Sequence, residues 1–111
     1  MLRALWLSVL VVIAAPAWAQ EYQSKELADA AGRLARTATT PMLWVYAEND
    51  SFIAPEIAAA MYAAYTQNGG KGEFEHLGSF GQDGHRLFFA PGGSQIWGPL
   101  VARYIASRPA Q

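Results

Sequence analysis

Two residues of this sequence, Asp50 and His85, are of the types that perform acid–base chemistry as a pair. Asp50 comes shortly after the apolar run Met42–Ala47, and His85 follows the glycine-rich residues 78–84. A carboxylate that accepts from one imidazole nitrogen fixes the tautomer of the ring, and the other nitrogen is then free to act as a general base. The pair would be the acid and the base of an acid–base–nucleophile triad. Two plainer roles stay open, a turn or cap residue for Asp50 and an exposed loop residue for His85.

The elements that must bring these side chains together are two short strands and the helix between them. Met42–Ala47 is aromatic and β-branched and is preceded by proline, which is typical of a strand buried on both faces. Gly72–Leu77 alternates, which predicts a half-buried edge strand. Strand, helix and strand over this span predict a βαβ unit with parallel strands. Asp50 and His85 would then share the carboxyl edge of the sheet, where open α/β sheets place binding and catalysis.

Three helices are expected around these strands. The first is predicted over residues 25–36 with Ser24 as its N-cap, and the second is predicted to begin at Pro55 and to end at two glycines. The third is predicted over about residues 98–107, with Pro99 in its first turn. The apolar residues expected to face the core are Leu27, Ala31, Leu34, Ile57, Met61, Tyr65, Leu100, Val101, Tyr104 and Ile105. The predicted fold class is α/β, a βαβα unit with parallel strands and a preceding helix.

The first 19 residues have the three parts of a secretory signal peptide. Residues 1–3 are short and basic, and residues 4–15 form an apolar core that is shorter than the ~20 residues needed to span a bilayer. Residues 16–19 read P-A-W-A, a small-x-small cleavage pattern. Cleavage is expected after Ala19, which predicts a secreted or periplasmic protein formed by residues 20–111. An uncleaved N-terminal anchor is the alternative.

The composition narrows the classes of partner and function. The chain has 111 residues, enough for one small domain, and it has no cysteine, so no disulfide framework is expected. The formal net charge is −1, and the charges are scattered without a basic run. The sequence therefore has no basic patch of the kind that binds nucleic acid. No membrane contact is expected after signal cleavage. The expected partner is a small-molecule ester or acyl substrate if the chain is active.

Three short motifs occur in order along the chain. They are L-W-V-Y-A-E-N-D at residues 43–50, F-G-Q-D-G-H at residues 80–85 and W-G-P at residues 97–99. Together they resemble the carboxyl-terminal portion of the dienelactone hydrolase-like branch of the α/β-hydrolase superfamily, over about residues 30–106. Residues 20–111 are therefore interpreted as one α/β-hydrolase-like portion. The resemblance implies that Asp50 is the triad acid, that His85 is the base, and that the parent activity is hydrolysis of an ester or related acyl compound.

The sequence departs from that family at the nucleophile. The family pattern places a serine or cysteine in a G-x-S/C-x-G turn ahead of the acid, and an oxyanion-hole segment further upstream. Neither occurs in residues 20–40. Ser24 has a helix-cap context, and Ser94 has a loop or cap context after the histidine, so Ser94 is an alternative nucleophile only in an unfamiliar arrangement.

Asp83 and His76 are two further polar residues near the predicted site. Asp83 is expected to be solvated or to hold its loop, and it is the alternative to Asp50 as the acid. His76 is expected to be structural, because only His85, Asp50 and Asp83 could accompany it as metal ligands. The Met and aromatic stripe of the second helix is interpreted as core packing. The sequence therefore predicts no metal and no cofactor.

Two functional interpretations follow from these observations. The first is an exported α/β-hydrolase-like protein whose nucleophile lies outside this chain, so that the chain is truncated relative to a hydrolase or complemented by another chain, and is inactive alone. The second is a non-catalytic periplasmic binding or interaction module derived from a hydrolase, in which Asp50 and His85 are relics.

The two predicted strands also have a structural consequence. Two strands are few for independent stability, and one edge of Met42–Ala47 would have no neighbour. An exposed apolar edge favours pairing with another chain. The chain is therefore predicted to be marginally stable, self-associating or dependent on a partner.

Overall fold

The computed structural model describes residues 16–109. The predicted apolar core of the signal peptide, residues 4–15, lies outside the described residues. The elements in chain order are α1 (Ala17–Ala35), β1 (Met42–Ala47), α2 (Pro55–Gln67), β2 (Gly72–Leu77), a 3-10 turn (Gly84–Arg86) and α3 (Ser94–Ala106). The architecture is mixed α/β, as predicted. Within residues 16–109, no helix combines the length and the apolarity needed to cross a bilayer.

β1 and β2 form a two-stranded parallel sheet. Met42 lies opposite Gly72 at one end, and Ala47 lies opposite Leu77 at the other. α2 is the crossover that a parallel pair requires. The bounds of both strands and their parallel pairing confirm the sequence prediction. Because the strands are parallel, the segments that follow them begin at the same edge of the sheet.

An aromatic core fills one face of the sheet, beneath α1 and α2. Tyr65 of α2 is 0% exposed, and its ring centroid lies 5.2 Å from that of Trp44. The strand register places Trp44 directly opposite Phe74, so both side chains lie on this face. The Phe74 ring packs on that of Tyr62 with a centroid distance of 5.1 Å. Ala31 and Ala35 of α1 belong to the same buried cluster as Trp44 and Tyr65, and their small side chains allow α1 to approach α2 closely. These contacts explain why α1 and α2 lie together on this face.

On the other face of the sheet, α3 packs against β1. Arg108 pairs with Glu73 at 3.0 Å and Arg103 pairs with Glu75, two glutamates that alternate with Phe74 along β2. The pairs are partly exposed, so each contributes about 1 kcal/mol or less. They show, as the alternation of β2 predicts, that its glutamates and Phe74 lie on opposite faces. His76, predicted on the apolar face, is exposed at the end of that strand.

The first helix differs from its prediction at its start. α1 begins at Ala17, so Ser24 lies inside the helix and caps nothing. The physical reason is that Pro16 precedes a run with no glycine or proline up to Gly32, and a serine inside such a run does not interrupt it. Leu34, expected in the core, is exposed, and Ala35 is buried in its place.

The last helix also starts early. α3 begins at Ser94, four residues before the predicted start, and Pro99 lies inside it instead of in its first turn. Pro99 has no N–H to donate to the carbonyl of Gln95, so the helix tolerates one lost bond near its beginning. Tyr104 is buried as predicted, whereas the prediction for Ile105 is wrong, because this side chain is 66% exposed.

Candidate functional site

Asp50 is held in the turn that follows β1. Its backbone N–H donates to the carbonyl of Ala47 at 3.1 Å. Its Oδ1 accepts from the N–H groups of Phe52 and Ile53, both at 2.8 Å. The Asp50 side chain is 8% exposed. Aspartate commonly organises a turn in this way, and here the turn fixes where the carboxylate points.

Asn49 attaches the histidine loop to the end of β1. Its Oδ1 accepts from the Phe80 N–H at 2.8 Å, and its Nδ2 donates to the carbonyls of Phe80 and Gly81, each at 3.2 Å. The Asn49 carbonyl accepts from the Gly84 N–H at 3.2 Å. Four hydrogen bonds thus join residues more than 30 positions apart. Sequence reasoning assigned no role to Asn49, although its place beside Asp50 was a usable signal.

Asp83 ties His85 to the same turn. Its Oδ1 accepts from the backbone N–H of His85 at 2.9 Å and from that of Ser51 at 3.1 Å. The Ser51 hydroxyl donates to Oδ2 at 2.6 Å. This hydroxyl is the main cause that lowers the pKa of Asp83 below its ordinary value, followed by the backbone N–H donors. Asp83 therefore holds the loop, one of the two roles predicted for it, and its carboxylate contacts the His85 backbone.

The side chains of Asp50 and His85 meet at this edge. Nδ1 of His85 lies 3.3 Å from Oδ1 and 3.4 Å from Oδ2 of Asp50. These distances are slightly longer than the usual 2.7–3.2 Å of an N–H···O bond. The His85 side chain is 41% exposed, and among the described residues Nε2 has no hydrogen-bond partner. The arrangement can fix the tautomer of the ring and leave Nε2 able to accept a proton.

An open cavity of about 330 Å³ adjoins the pair. Apart from Asp50 and His85, it is lined mainly by apolar side chains, including Val45, Leu87 and Phe89. The Phe52 ring lies beside the imidazole with a centroid distance of 4.2 Å, and Phe89 lies at 6.3 Å. The cavity therefore offers an apolar surface next to one acid–base pair.

Tyr46 is the third ionisable group at this cavity. Burial raises its pKa above the ordinary value, and the negative charge of Asp50 raises it further. The phenol therefore stays protonated near neutral pH and adds no charge to the cavity wall.

The other candidates lie apart from the pair. Ser94 is the first residue of α3, Ser24 lies inside α1, and within residues 16–109 neither makes a hydrogen bond to His85. His76 lies opposite Tyr46 in the sheet register. Residues 16–109 contain no cluster of three or more side chains suited to hold a metal ion.

We expect Asp83→Asn to remove an acid-sensitive part of the stability. The folded-state pKa of Asp83 lies below its ordinary 3.8, so the carboxylate stabilises the fold above that value and the contribution is lost as the pH falls through the lower folded-state pKa. Thermal midpoints measured from about pH 2 to pH 6 should fall at low pH in the parent chain and fall less in the variant.

Ser51→Ala provides the matched control, because it removes the hydroxyl that lowers the pKa of Asp83 most and leaves the carboxylate in place. It should show an intermediate dependence on pH. Parallel pH profiles for the parent chain and Asp83→Asn would contradict the assignment of Asp83 as the loop anchor.

Comparison of the chain with protein-family models, curated proteins and solved structures found no match.

Proposed function

We propose that this chain is the acid–base portion of an exported α/β-hydrolase-like enzyme of the dienelactone hydrolase type, acting on an ester or related acyl substrate. The observation that carries the proposal is the approach of His85 Nδ1 to both carboxylate oxygens of Asp50, at 3.3 and 3.4 Å. It is supported by the open Nε2 and by the apolar cavity of about 330 Å³ beside it. The export rests on the signal-peptide pattern of residues 1–19.

In the proposed reaction, His85 accepts a proton through Nε2 from a serine or cysteine that lies outside this sequence. Asp50 then faces the resulting imidazolium and stabilises its positive charge. The nucleophile forms a bond to the acyl carbon, and His85 returns the proton to the leaving alcohol as its bond to that carbon breaks. A water molecule repeats the sequence on the acyl-enzyme, releasing the acid and restoring the nucleophile.

A specific observation favours a second candidate, a non-catalytic binding or interaction module. Asp50 Oδ1 is already occupied by the N–H groups of Phe52 and Ile53, and Asp83 is occupied by Ser51 and His85. Both carboxylates therefore have structural roles that need no catalysis. In this candidate the cavity binds an apolar ligand and leaves it unchanged.

The test offers the purified chain an activated ester with and without an added small thiol as nucleophile. Without the thiol, we expect no turnover above that of the double variant Asp50→Ala/His85→Ala. With it, we expect His85-dependent thiolysis on the order of 10-fold above that variant, less than the 10²–10⁴ of a base acting on a bound nucleophile.

The matched control is His76→Ala, which removes the other histidine of the chain, an exposed one. It should leave the thiol-dependent rate unchanged. A rate without thiol that depends on His85 would overturn the external nucleophile. A thiol-dependent rate that His85→Ala does not reduce would overturn the role of His85 and favour the binding module.

A further inference from the structure

The outer edge of β1, the one that faces away from β2, carries backbone groups without a strand partner. In a parallel strand, alternate residues point their N–H and C=O groups to opposite sides. The N–H groups of Met42 and Glu48 donate to the carbonyls of Lys71 and Leu77, each at 2.9 Å. The backbone groups of every second residue from Met42 therefore face β2. Leu43, Val45 and Ala47 therefore face outward.

The outward groups form a definite pattern. The carbonyl of Ala47 is occupied, because it accepts from the Asp50 N–H at 3.1 Å. The N–H groups of Leu43, Val45 and Ala47 and the carbonyls of Leu43 and Val45 remain. Within residues 16–109 the sheet has no third strand to pair with them. The edge thus offers three donors and two acceptors at strand spacing.

The two edges of the sheet differ in charge. β2 carries Glu73 and Glu75, and charged side chains of this kind discourage further strand pairing. β1 reads M-L-W-V-Y-A and has no charged residue. The surface beside Val45 is apolar too. Phe88 and Phe89 line the same cavity as Val45, and their side chains are 51% and 69% exposed. The unpaired edge of β1 is therefore complementary to an uncharged segment.

Helices cover both faces of β1 and limit the width of a partner. Tyr62 and Tyr65 of α2 pack on Trp44 on one face. On the other face α3 contacts β1, and Arg103 of α3 and Arg108 just after it bind the glutamates of β2. A second copy paired along this edge would bring its own helices onto the same two faces. A single extended segment has no such helices and fits between the layers.

We propose that the outer edge of β1 binds an extended, uncharged, apolar segment of another polypeptide, which adds to the sheet as a third strand. Backbone hydrogen bonds to Leu43, Val45 and Ala47 supply its alignment. Its side chains pack against Leu43 and Val45 on one face and beside Trp44 on the other. The interaction needs no catalysis, and it stands whether or not the chain takes part in hydrolysis.

The probe is an acetylated and amidated hexapeptide of alternating valine and threonine. Amide hydrogen exchange is measured by NMR on the full chain, at a concentration where sedimentation shows a monomer. Without peptide, the N–H groups of Leu43 and Val45 should exchange at least about 10-fold faster than those of Trp44 and Tyr46, which are bonded to β2. With peptide, exchange at Leu43, Val45 and Ala47 should slow by a similar factor.

The outer edge of β2 serves as an internal control, because Phe74 and His76 face away from β1 by the same alternation. Their exchange should not change. A second control is the same peptide with N-methylated backbone nitrogens, which cannot donate to the carbonyls of Leu43 and Val45. It should bind about 2- to 10-fold more weakly for each blocked bond.

Three results would overturn the proposal. One is slow exchange at Leu43 and Val45 in the free monomer, which would mean that the edge is already covered. Another is equal binding of the N-methylated peptide, which would assign the binding to side-chain contacts alone. The last is slowed exchange at this edge that depends on protein concentration and accompanies dimer formation, which would make a second copy the occupant.

Discussion

Tyr65→Ala is expected to lower the free energy of unfolding of the chain strongly. Tyr65 is 0% exposed, and its ring packs on Trp44 and lies against Gly70, where an added Cβ would overlap it. Removing a large buried aromatic side chain costs about 3–5 kcal/mol. A chain of this size has a free energy of unfolding of only about 5–15 kcal/mol. The thermal midpoint, followed by far-ultraviolet circular dichroism, should fall by about 15–30 °C.

Tyr65→Phe separates the packing of the ring from its hydroxyl. It removes only the hydrogen bond to the Lys71 carbonyl, which at 3.4 Å is long. Its cost should stay below about 1 kcal/mol. If Tyr65→Ala and Tyr65→Phe lowered the midpoint equally, the aromatic core would not be what holds α1 and α2 to the sheet.

Gly84→Ala is expected to separate His85 from Asp50 as well as to destabilise the fold. A Cβ at this position would lie 2.6 Å from Asn49 Oδ1 and 2.5 Å from the Cβ of Ala47. Ala47 is the buried last residue of β1 and Asn49 lies in the turn that follows, so the loop must move outward. Forcing an extra methyl group into a packed site costs about 1–3 kcal/mol.

NMR can follow that displacement at the imidazole ring. The ring of Phe52 lies 4.2 Å from that of His85. The ring current of Phe52 should therefore displace the chemical shifts of the His85 ring protons. This shift should be lost in Gly84→Ala and kept in Gly78→Ala, because Gly78 lies in the same loop region with nothing within 4 Å of an added Cβ. An unchanged shift in Gly84→Ala would show that the close approach at Gly84 does not position His85.

Both substitutions act on contacts between segments, whereas the bounds of the strands follow from local pattern. Met42–Ala47 and Gly72–Leu77 are found where the sequence predicts them, because an apolar run after Pro41 and an alternating run are short-range signals. Helix starts were less predictable. Ser24 has the chemistry of a cap, yet the helix passes through it, since no breaker stands between Pro16 and that position.

The attachment of the histidine loop could not be predicted from pattern. Asn49 binds Phe80 and Gly81, and Ser51 binds Asp83, across 31 or 32 positions of the chain. Each of these polar residues also fits an exposed loop in isolation. Their partners depend on how the two strand ends are aligned, and the register of the sheet sets that alignment.

The sequence by itself determined the residue types of the candidate site, the two strands that precede them and the parallel pairing that sends both to one edge. Local spacing and chain connectivity are sufficient for those inferences. Only the tertiary structure decided that Nδ1 of His85 comes within 3.4 Å of Asp50, and that Asn49 and Asp83 attach the histidine loop to the turn after β1. The physical reason is that both depend on packing between segments some 30 residues apart, where tenths of an ångström separate a contact from a gap.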